Sequence, residues 1–280
     1  MKTVYIDYNV VSSLFSSNNE GERVAITERL NLLRNNGYRF AFSAWHSFEI
    51  ARSTNASHII SCCEFIDTLD PVWMSNTSFV KRAELLNYQK LLKLVHGEVS
   101  PVKAINETLA RMWATYGGPV LIGETVFGMV QMLKDHPGDL ELVSQVASHT
   151  IEAIKIGREA FKDGRYKTST SVIDEAFIGI LLDDEYKANA KALLKDQRAL
   201  LRACPSIGIE DALTRLRVVE QFKPEISDAA DMQHGVVGFG YCDYFVSYDK
   251  MLIDHLGKVK KQLDLSCIPI MNFDWPLDSH

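Results

Sequence analysis

Four carboxylates stand where apolar runs stop or where helices begin. Asp7 closes the β-branched and aromatic run Thr3-Val4-Tyr5-Ile6, and Asp249 follows Tyr244-Phe245-Val246-Ser247. Glu49 lies between Phe48 and Ile50, and Asp231 follows Ala229-Ala230. Gathered in one crevice, such groups repel each other and some protonate unless a cation is present. Hard divalent ions, Mg²⁺ or Mn²⁺, take oxygen ligands of this kind. An ion held this way lowers the pKa of a bound water, orients it, and stabilises charge on a phosphoryl group during in-line displacement. An all-carboxylate, His-poor set points to phosphodiester hydrolysis rather than zinc peptidase chemistry.

The elements that must position these acids are legible around them. Thr3 to Ile6 reads as a strand, followed by a helical face of Val10, Val11, Leu14 and Phe15. Glu20 to Arg34 is amphipathic, with Val24, Ile26, Leu30 and Leu33 inward, and Asn35-Asn36-Gly37 ends it. Tyr38 to Phe42 reads as a second strand, and Ser43 as the N-cap of a helix carrying Trp45, Phe48, Glu49 and Ile50. Ser227 opens a helix through Phe239, with Asp231 and His234 on one face. Tyr244 to Ser247 reads as a strand, Met251 to Leu256 as a helix and Cys267 to Ile270 as a last strand. The β-α-β-α order predicts a parallel sheet with right-handed crossovers. Ligand crevices of such sheets lie beyond the carboxyl ends of the strands, so all four acids are expected at one edge.

Between the two α/β parts the pattern changes. Helical periodicity runs over Phe79–Leu94, Ala104–Tyr116, Pro119–Leu133, Leu140–Asp163, Ser171–Leu182, Lys187–Arg202 and Ile209–Phe222. The expected organisation is an α/β three-layer core with a parallel sheet, formed by 1–70 and 227–280 and interrupted by a large all-helical insertion, 71–226.

Composition narrows the class. The 280 residues are 46% hydrophobic and 24% charged, which is globular and excludes disordered and collagen-like chains. The five cysteines show no CxxC spacing, against a zinc ribbon or a disulfide framework. No apolar run reaches the length of a membrane span, and Asp7 interrupts the N-terminus before a signal-peptide core could form. The expectation is a soluble cytoplasmic protein with no membrane partner. Its net charge of −6 does not advertise a nucleic-acid binder.

Four stretches resemble the PIN-domain ribonucleases, a family that includes the toxin halves of many bacterial toxin–antitoxin pairs. They are VYIDYNVVSSLF (4–15), FSAWHSFEIA (42–51), DMQHGVVG (231–238) and CDYFVSYDKML (242–252). The first carries the family's strand-end Asp and following Asn as Asp7 and Asn9. The second carries its helix Glu as Glu49, with Ser43 at the helix start. The third and fourth carry its later acids as Asp231 and Asp249. The resemblance implies a PIN-like core, an endoribonuclease activity and products with 5′-phosphate and 3′-hydroxyl ends. Asp7, Glu49, Asp231 and Asp249 would bind one or two Mg²⁺ or Mn²⁺ ions, with Asn9, Ser43 and Asp243 in support.

Plainer readings stand beside these. Asp7 and Asp249 fit as turn or cap residues and Glu49 as a solvated helix acid, and it is the set of four that favours the metal role. Asp243 reads either as a fourth ligand or as a cap at the far end of its strand. His234 reads as a packed helix histidine, Cys62-Cys63 as helix core, and Ser43 as a cap or a bonding partner of a ligand carboxylate. Lys250 could neutralise substrate phosphate or be solvated. Lys155, Arg158, Lys162, Arg165 and Lys167 form one basic stretch. Lys187, Lys191, Lys195, Arg198 and Arg202 recur on one face of an expected helix, a candidate surface for RNA or an acidic partner. The insertion could shape a substrate groove, mediate a homodimer, or hold an antitoxin or other protein. Two other functions fit the same residues: a PIN-like module that binds RNA or protein without activity, and a phosphatase with a nucleophilic strand-end Asp. The latter commonly carries a second Asp two residues on, where this chain has Asn9.

Overall fold

The structure, a computed structural model, describes residues 1–16, 20–117, 125–165, 167, 171–220 and 223–272. The first part of the chain runs β1 (Lys2–Ile6), α1 (Tyr8–Ser16), α2 (Glu20–Asn35), β2 (Tyr38–Phe42), α3 (Ala44–Ala51) and α4 (Ala56–Thr68). It continues through β3 (Val72–Met74), α5 (Thr77–Leu91), β4 (Ile105–Asn106), α6 (Leu109–Ala114), α7 (Val126–Asp135) and α8 (Pro137–Lys162). Then come α9 (Glu175–Leu181), α10 (Asp184–Lys187), α11 (Ala190–Leu193), a 3₁₀ turn (Leu194–Asp196), α12 (Gln197–Ala203) and α13 (Pro205–Val219). The chain closes with α14 (Ile226–His234), a π-helical turn (Gly235–Phe239), β5 (Tyr244–Ser247), α15 (Lys250–Leu263) and β6 (Ile268–Met271).

Among the described residues six strands form one mixed sheet in the order β4-β3-β2-β1-β5-β6, in which only the β3–β4 pair is antiparallel. β1 is central: Val4 pairs with Phe40 of β2 and with Tyr244 of β5. Its β-branched and aromatic residues suit a strand buried on both faces. Alternation sends Val4 and Ile6 to one face and Tyr5 to the other. The first face packs on α1, α2, α3, α4, α6 and α7 through residues such as Leu14, Leu30, Ile50, Ile66, Met112 and Val130. The second packs on α5, α13, the π turn and α15 through Leu85, Ile209, Val236 and Leu256. The result is a helix–sheet–helix sandwich, and each fully buried Val, Ile or Leu contributes about 1.5–3 kcal/mol.

The segment 71–226 differs from the all-helical insertion expected. It supplies β3, which pairs with the open edge of β2, and β4, which pairs with β3, and it places helices on both faces of the sheet. Val72-Trp73-Met74 and Ile105-Asn106 are too short to show a period; the first is a strand because the edge of β2 needs hydrogen-bond partners, the second because the edge of β3 does.

A second correction concerns Lys187–Arg202. The expected single helix is broken into α10, α11, the 3₁₀ turn and α12. Asp196 accepts a hydrogen bond from Ala199 N at 2.9 Å and starts α12 as its N-cap. Lys187, Lys191, Lys195, Arg198 and Arg202 therefore do not share one helical stripe, and Lys187 pairs with Asp184 at 2.6 Å. Residues 119–124 of the expected helix Pro119–Leu133, and Gln221 and Phe222 of Ile209–Phe222, lie outside the described residues.

The helix expected through Phe239 is α-helical only to His234, after which Gly235–Phe239 widens into a π turn. Gly238 is needed there because a Cβ would lie 2.5 Å from Cγ of Tyr5. The turn therefore lies directly on β1, and π turns of this kind recur at functional sites. Among the described residues no helix is long and apolar enough to cross a membrane.

Candidate metal centre

The carboxyl ends of β1 and β5 carry the first half of the site. Asp7 is buried at the end of β1 and its N donates to Val246 O at 2.9 Å, continuing the sheet ladder. Its Oδ1 accepts from Tyr8 N at 2.8 Å and its Oδ2 from Ser247 Oγ at 2.7 Å. Ser247 Oγ in turn accepts from Asn9 Nδ2 at 2.9 Å and from Asp249 N at 3.0 Å. Asn9 Oδ1 takes Tyr248 N at 3.0 Å. Asp249 caps α15, its Oδ1 accepting from Met251 N at 2.7 Å and Leu252 N at 3.0 Å. One serine thus ties three of the sequence-predicted residues together, and the sequence reading did not single it out.

The second half comes from α3 and α14. His234 Nε2 donates to Glu49 Oε2 at 2.6 Å, and its Nδ1 lies 2.5 Å from Tyr5 OH. Tyr5 OH is 2.9 Å from Ser43 Oγ. His234 is fully buried, which disfavours its charge, but Glu49 outweighs this by charge and hydrogen bond, with Asp7 and Asp231 adding to the effect. Its pKa is raised, which favours the imidazolium; in that form Nδ1 donates to Tyr5 OH, whose own hydrogen is directed at Ser43 Oγ. The Tyr5 phenol is pushed far up, chiefly by burial, so it remains the neutral donor this requires. The neighbouring His46 is the opposite case. Burial, and then the nearby His234, hold its pKa well below the ordinary value. Neutral His46 donates from Nε2 to Ile6 O at 2.7 Å and accepts Ser43 N at Nδ1 at 3.1 Å. His234 is the packed helix histidine expected, fully buried, and it also pairs with Glu49.

Asp231 lies between these halves. Burial raises its pKa well above the carboxylate range, and Asp7, Asp249 and Glu49 push in the same direction against His234. Asp7 is raised by burial and by Glu49, with His234, Ser247 and Tyr8 N opposing. Asp231 thus lies close enough to feel the other three acids, and Asp7 close enough to feel Glu49. Arg217 of α13 approaches them, its Nη2 3.7 Å from Asp231 Oδ2. Its Nη1 pairs with Asp228 at 3.0 Å and Glu220 at 3.4 Å. No sequence motif marked Arg217, because only the packing of α13 on α15 and the π turn brings it here.

The donors suit Mg²⁺ or Mn²⁺ in kind, being four carboxylates whose repulsion a divalent cation relieves. Their placement is that of a crevice closed on protein partners. Among the described residues no three His, Cys, Asp or Glu side chains are set to hold one ion together.

The remaining residues lie as follows. Asp243 is exposed at the start of β5, the opposite end of the sheet, where Oδ2 accepts Thr3 N at 2.6 Å and its own N donates to Thr3 O at 2.9 Å. It ties β5 to β1 and stands apart from the other acids. Ser43 precedes α3 as its N-cap. Lys250 is exposed at the first position of α15. Of the basic stretch on α8, Arg158 turns inward, its Nε and Nη2 donating to Arg217 O at 3.0 and 2.8 Å. Cys62 and Cys63 are free thiols in the core.

Comparison of the chain with family models, with curated proteins and with solved structures returns no match.

Proposed function

We propose that this chain is a metal-dependent endoribonuclease with a PIN-like core, cleaving RNA phosphodiester bonds at the crevice beyond β1 and β5. The observation that carries this reading is the gathering of Asp7, Glu49, Asp231 and Asp249 at the carboxyl end of the sheet, where Ser247 joins Asp7 to the Asp249 backbone and Asp231, raised chiefly by burial, also feels Asp7, Asp249 and Glu49. Asp7 is buried and Glu49, Asp231 and Asp249 are half-buried, and carboxylates perturbed by burial and by one another cluster at functional sites. Asp7, Glu49, Asp231 and Asp249 would hold Mg²⁺ or Mn²⁺, which supplies an activated water and Lewis-acid stabilisation of the phosphoryl group. The chain's own contribution is positioning. Ser247 and Tyr8 N fix both oxygens of Asp7, α15 fixes Asp249, and the His234–Tyr5–Ser43 chain fixes Glu49. The products are 5′-phosphate and 3′-hydroxyl ends, the fold reading is PIN-like, and a toxin or defence role fits the same chemistry.

A second reading is a PIN-like module that binds RNA or protein without cleaving. The pairing of Glu49 with His234 and the approach of Arg217 to Asp231 favour it, since protein cations already face two of the acids. Calorimetry with Mn²⁺ separates the two. Micromolar binding that is lost in Asp7→Asn supports the enzyme, and equal weak binding by both proteins supports the inert module.

A further inference from the structure

Arg217 leaves part of its guanidinium unanswered. Its side chain is 3% exposed. Nη1 is engaged by Asp228 and Glu220; Nη2 stands 3.7 Å from Asp231 Oδ2, beyond hydrogen-bond distance, so neither Nε nor Nη2 has a hydrogen-bond partner in the protein, although both are buried. A guanidinium has donors only, so the missing partner is an acceptor. Buried charged donors without one are unfavourable, and such a group needs an explanation.

Arg217 lines a cavity of about 120 Å³ that lies beside the acid crevice. This is room for an oxyanion or a few waters. Arg158 and Lys223 line it as well, the lysine exposed. The acids there are engaged. Glu220 takes His255 Nε2 at 2.8 Å in addition to Arg217, and Asp228 Oδ2 accepts Glu225 N at 2.6 Å while Oδ1 meets Arg217. Glu225, also in the lining, is exposed. The donors left over are Nε and Nη2 of Arg217, and a planar guanidinium with two adjacent N–H groups suits the oxygens of a phosphate.

We propose that this cavity is an oxyanion subsite whose ligand is a phosphate group, supplied by the RNA backbone next to the acid crevice. The oxyanion chemistry stands on the cavity and on Arg217 alone, and the RNA source rests on the nuclease reading. The acid crevice and the subsite together would then hold neighbouring positions of one strand, with Arg217 of the 71–226 segment reading the backbone rather than the bases.

The test is binding in EDTA, which removes cleavage from the readout. Inorganic phosphate and a short single-stranded RNA are titrated separately and in competition into wild type, Arg217→Lys and Lys223→Gln, with thermal melts in parallel. The expected result is phosphate binding that RNA displaces, weakened at least about tenfold in Arg217→Lys, which keeps the charge and loses the fork. Lys223→Gln, at an exposed position, is expected to melt like wild type, bind about two- to fivefold more weakly, and lose about one unit from the salt slope of RNA binding. If Arg217→Lys does not fold, Lys223→Gln and the competition decide. Absence of phosphate binding at millimolar concentration, or equal affinities in the folded variants and wild type, overturns the subsite. Phosphate binding that RNA does not displace overturns the RNA source and leaves free phosphate as the ligand. Failure of the nuclease reading appears separately, as phosphate binding without Mg²⁺-dependent cleavage.

Discussion

His234 on α14 donates to Glu49 on α3 at 2.6 Å, with both groups largely shielded from water. This bond closes the crevice between two helices that come from opposite ends of the chain. Breaking a buried ion pair from one side leaves an uncompensated charge. His234→Gln is therefore expected to lower unfolding free energy by about 3–5 kcal/mol in urea titration. The sign with pH follows from the raised pKa of His234. Its contribution is fully present below the unfolded histidine value of about 6.5 and is lost as pH rises through the higher folded value. The gap between wild type and His234→Gln should thus be widest in mild acid and shrink in alkaline solution.

Asp231 carries the opposite burden at neutral pH. Its raised pKa means that the folded protein holds the proton more firmly than the unfolded chain, so this stabilisation disappears as pH rises through the folded value. Asp231→Asn is expected to raise the metal-free melting stability at pH 8 by about 1 kcal/mol or more, one pKa unit being worth about 1.4 kcal/mol. The same variant should lose the thermal shift that Mn²⁺ gives wild type. An unchanged or lower metal-free stability contradicts the raised pKa of Asp231, set by burial and then by Asp7, Asp249 and Glu49.

Ser247 joins Asp7, Asn9 and Asp249 through one oxygen. Ser247→Ala leaves buried groups unpaired and is expected to cost about 1–3 kcal/mol. It should also weaken Mn²⁺ binding by about 10–100-fold, as loss of a ligand-orienting bond does. Calorimetry on the folded variant measures this directly.

Gly238 sets the distance between the π turn and β1. A methyl group there meets the Tyr5 ring at 2.5–2.8 Å, so Gly238→Ala is expected to destabilise by about 1–3 kcal/mol through overpacking. Because Tyr5 also holds His234, the variant should perturb the His234 imidazole resonances in NMR.

The parts of this arrangement that could be read in the sequence are those encoded locally. β1, β2 and β5 announce themselves by dense β-branched and aromatic residues, and Asp7 and Asp249 by standing where those strands stop. Gly37 marks the end of α2 because its φ of +81° is a conformation other residues rarely adopt. β3 and β4 were hidden because two or three residues carry no period and depend on a neighbouring edge for their existence, that of β2 for β3 and that of β3 for β4. The basic stripe at Lys187–Arg202 failed because spacing assumes an unbroken helix, and Asp196 restarts the helix there. His234, Ser247 and Arg217 gain their roles only from tertiary approach: the π turn seating α14 on Tyr5, the β1–β5 register, and α13 packing beside α15. The acids could be read as a set, but the protein cations that face them could not.

The most direct measurement is end-mapped cleavage of total RNA by wild type and Asp7→Asn, with and without Mg²⁺ or Mn²⁺. Wild type should cut only with the metal and leave 5′-phosphate ends, while an Asp7→Asn protein that melts cooperatively should be reduced by more than about a hundredfold. Metal-dependent cleavage that is undiminished in Asp7→Asn would contradict the account.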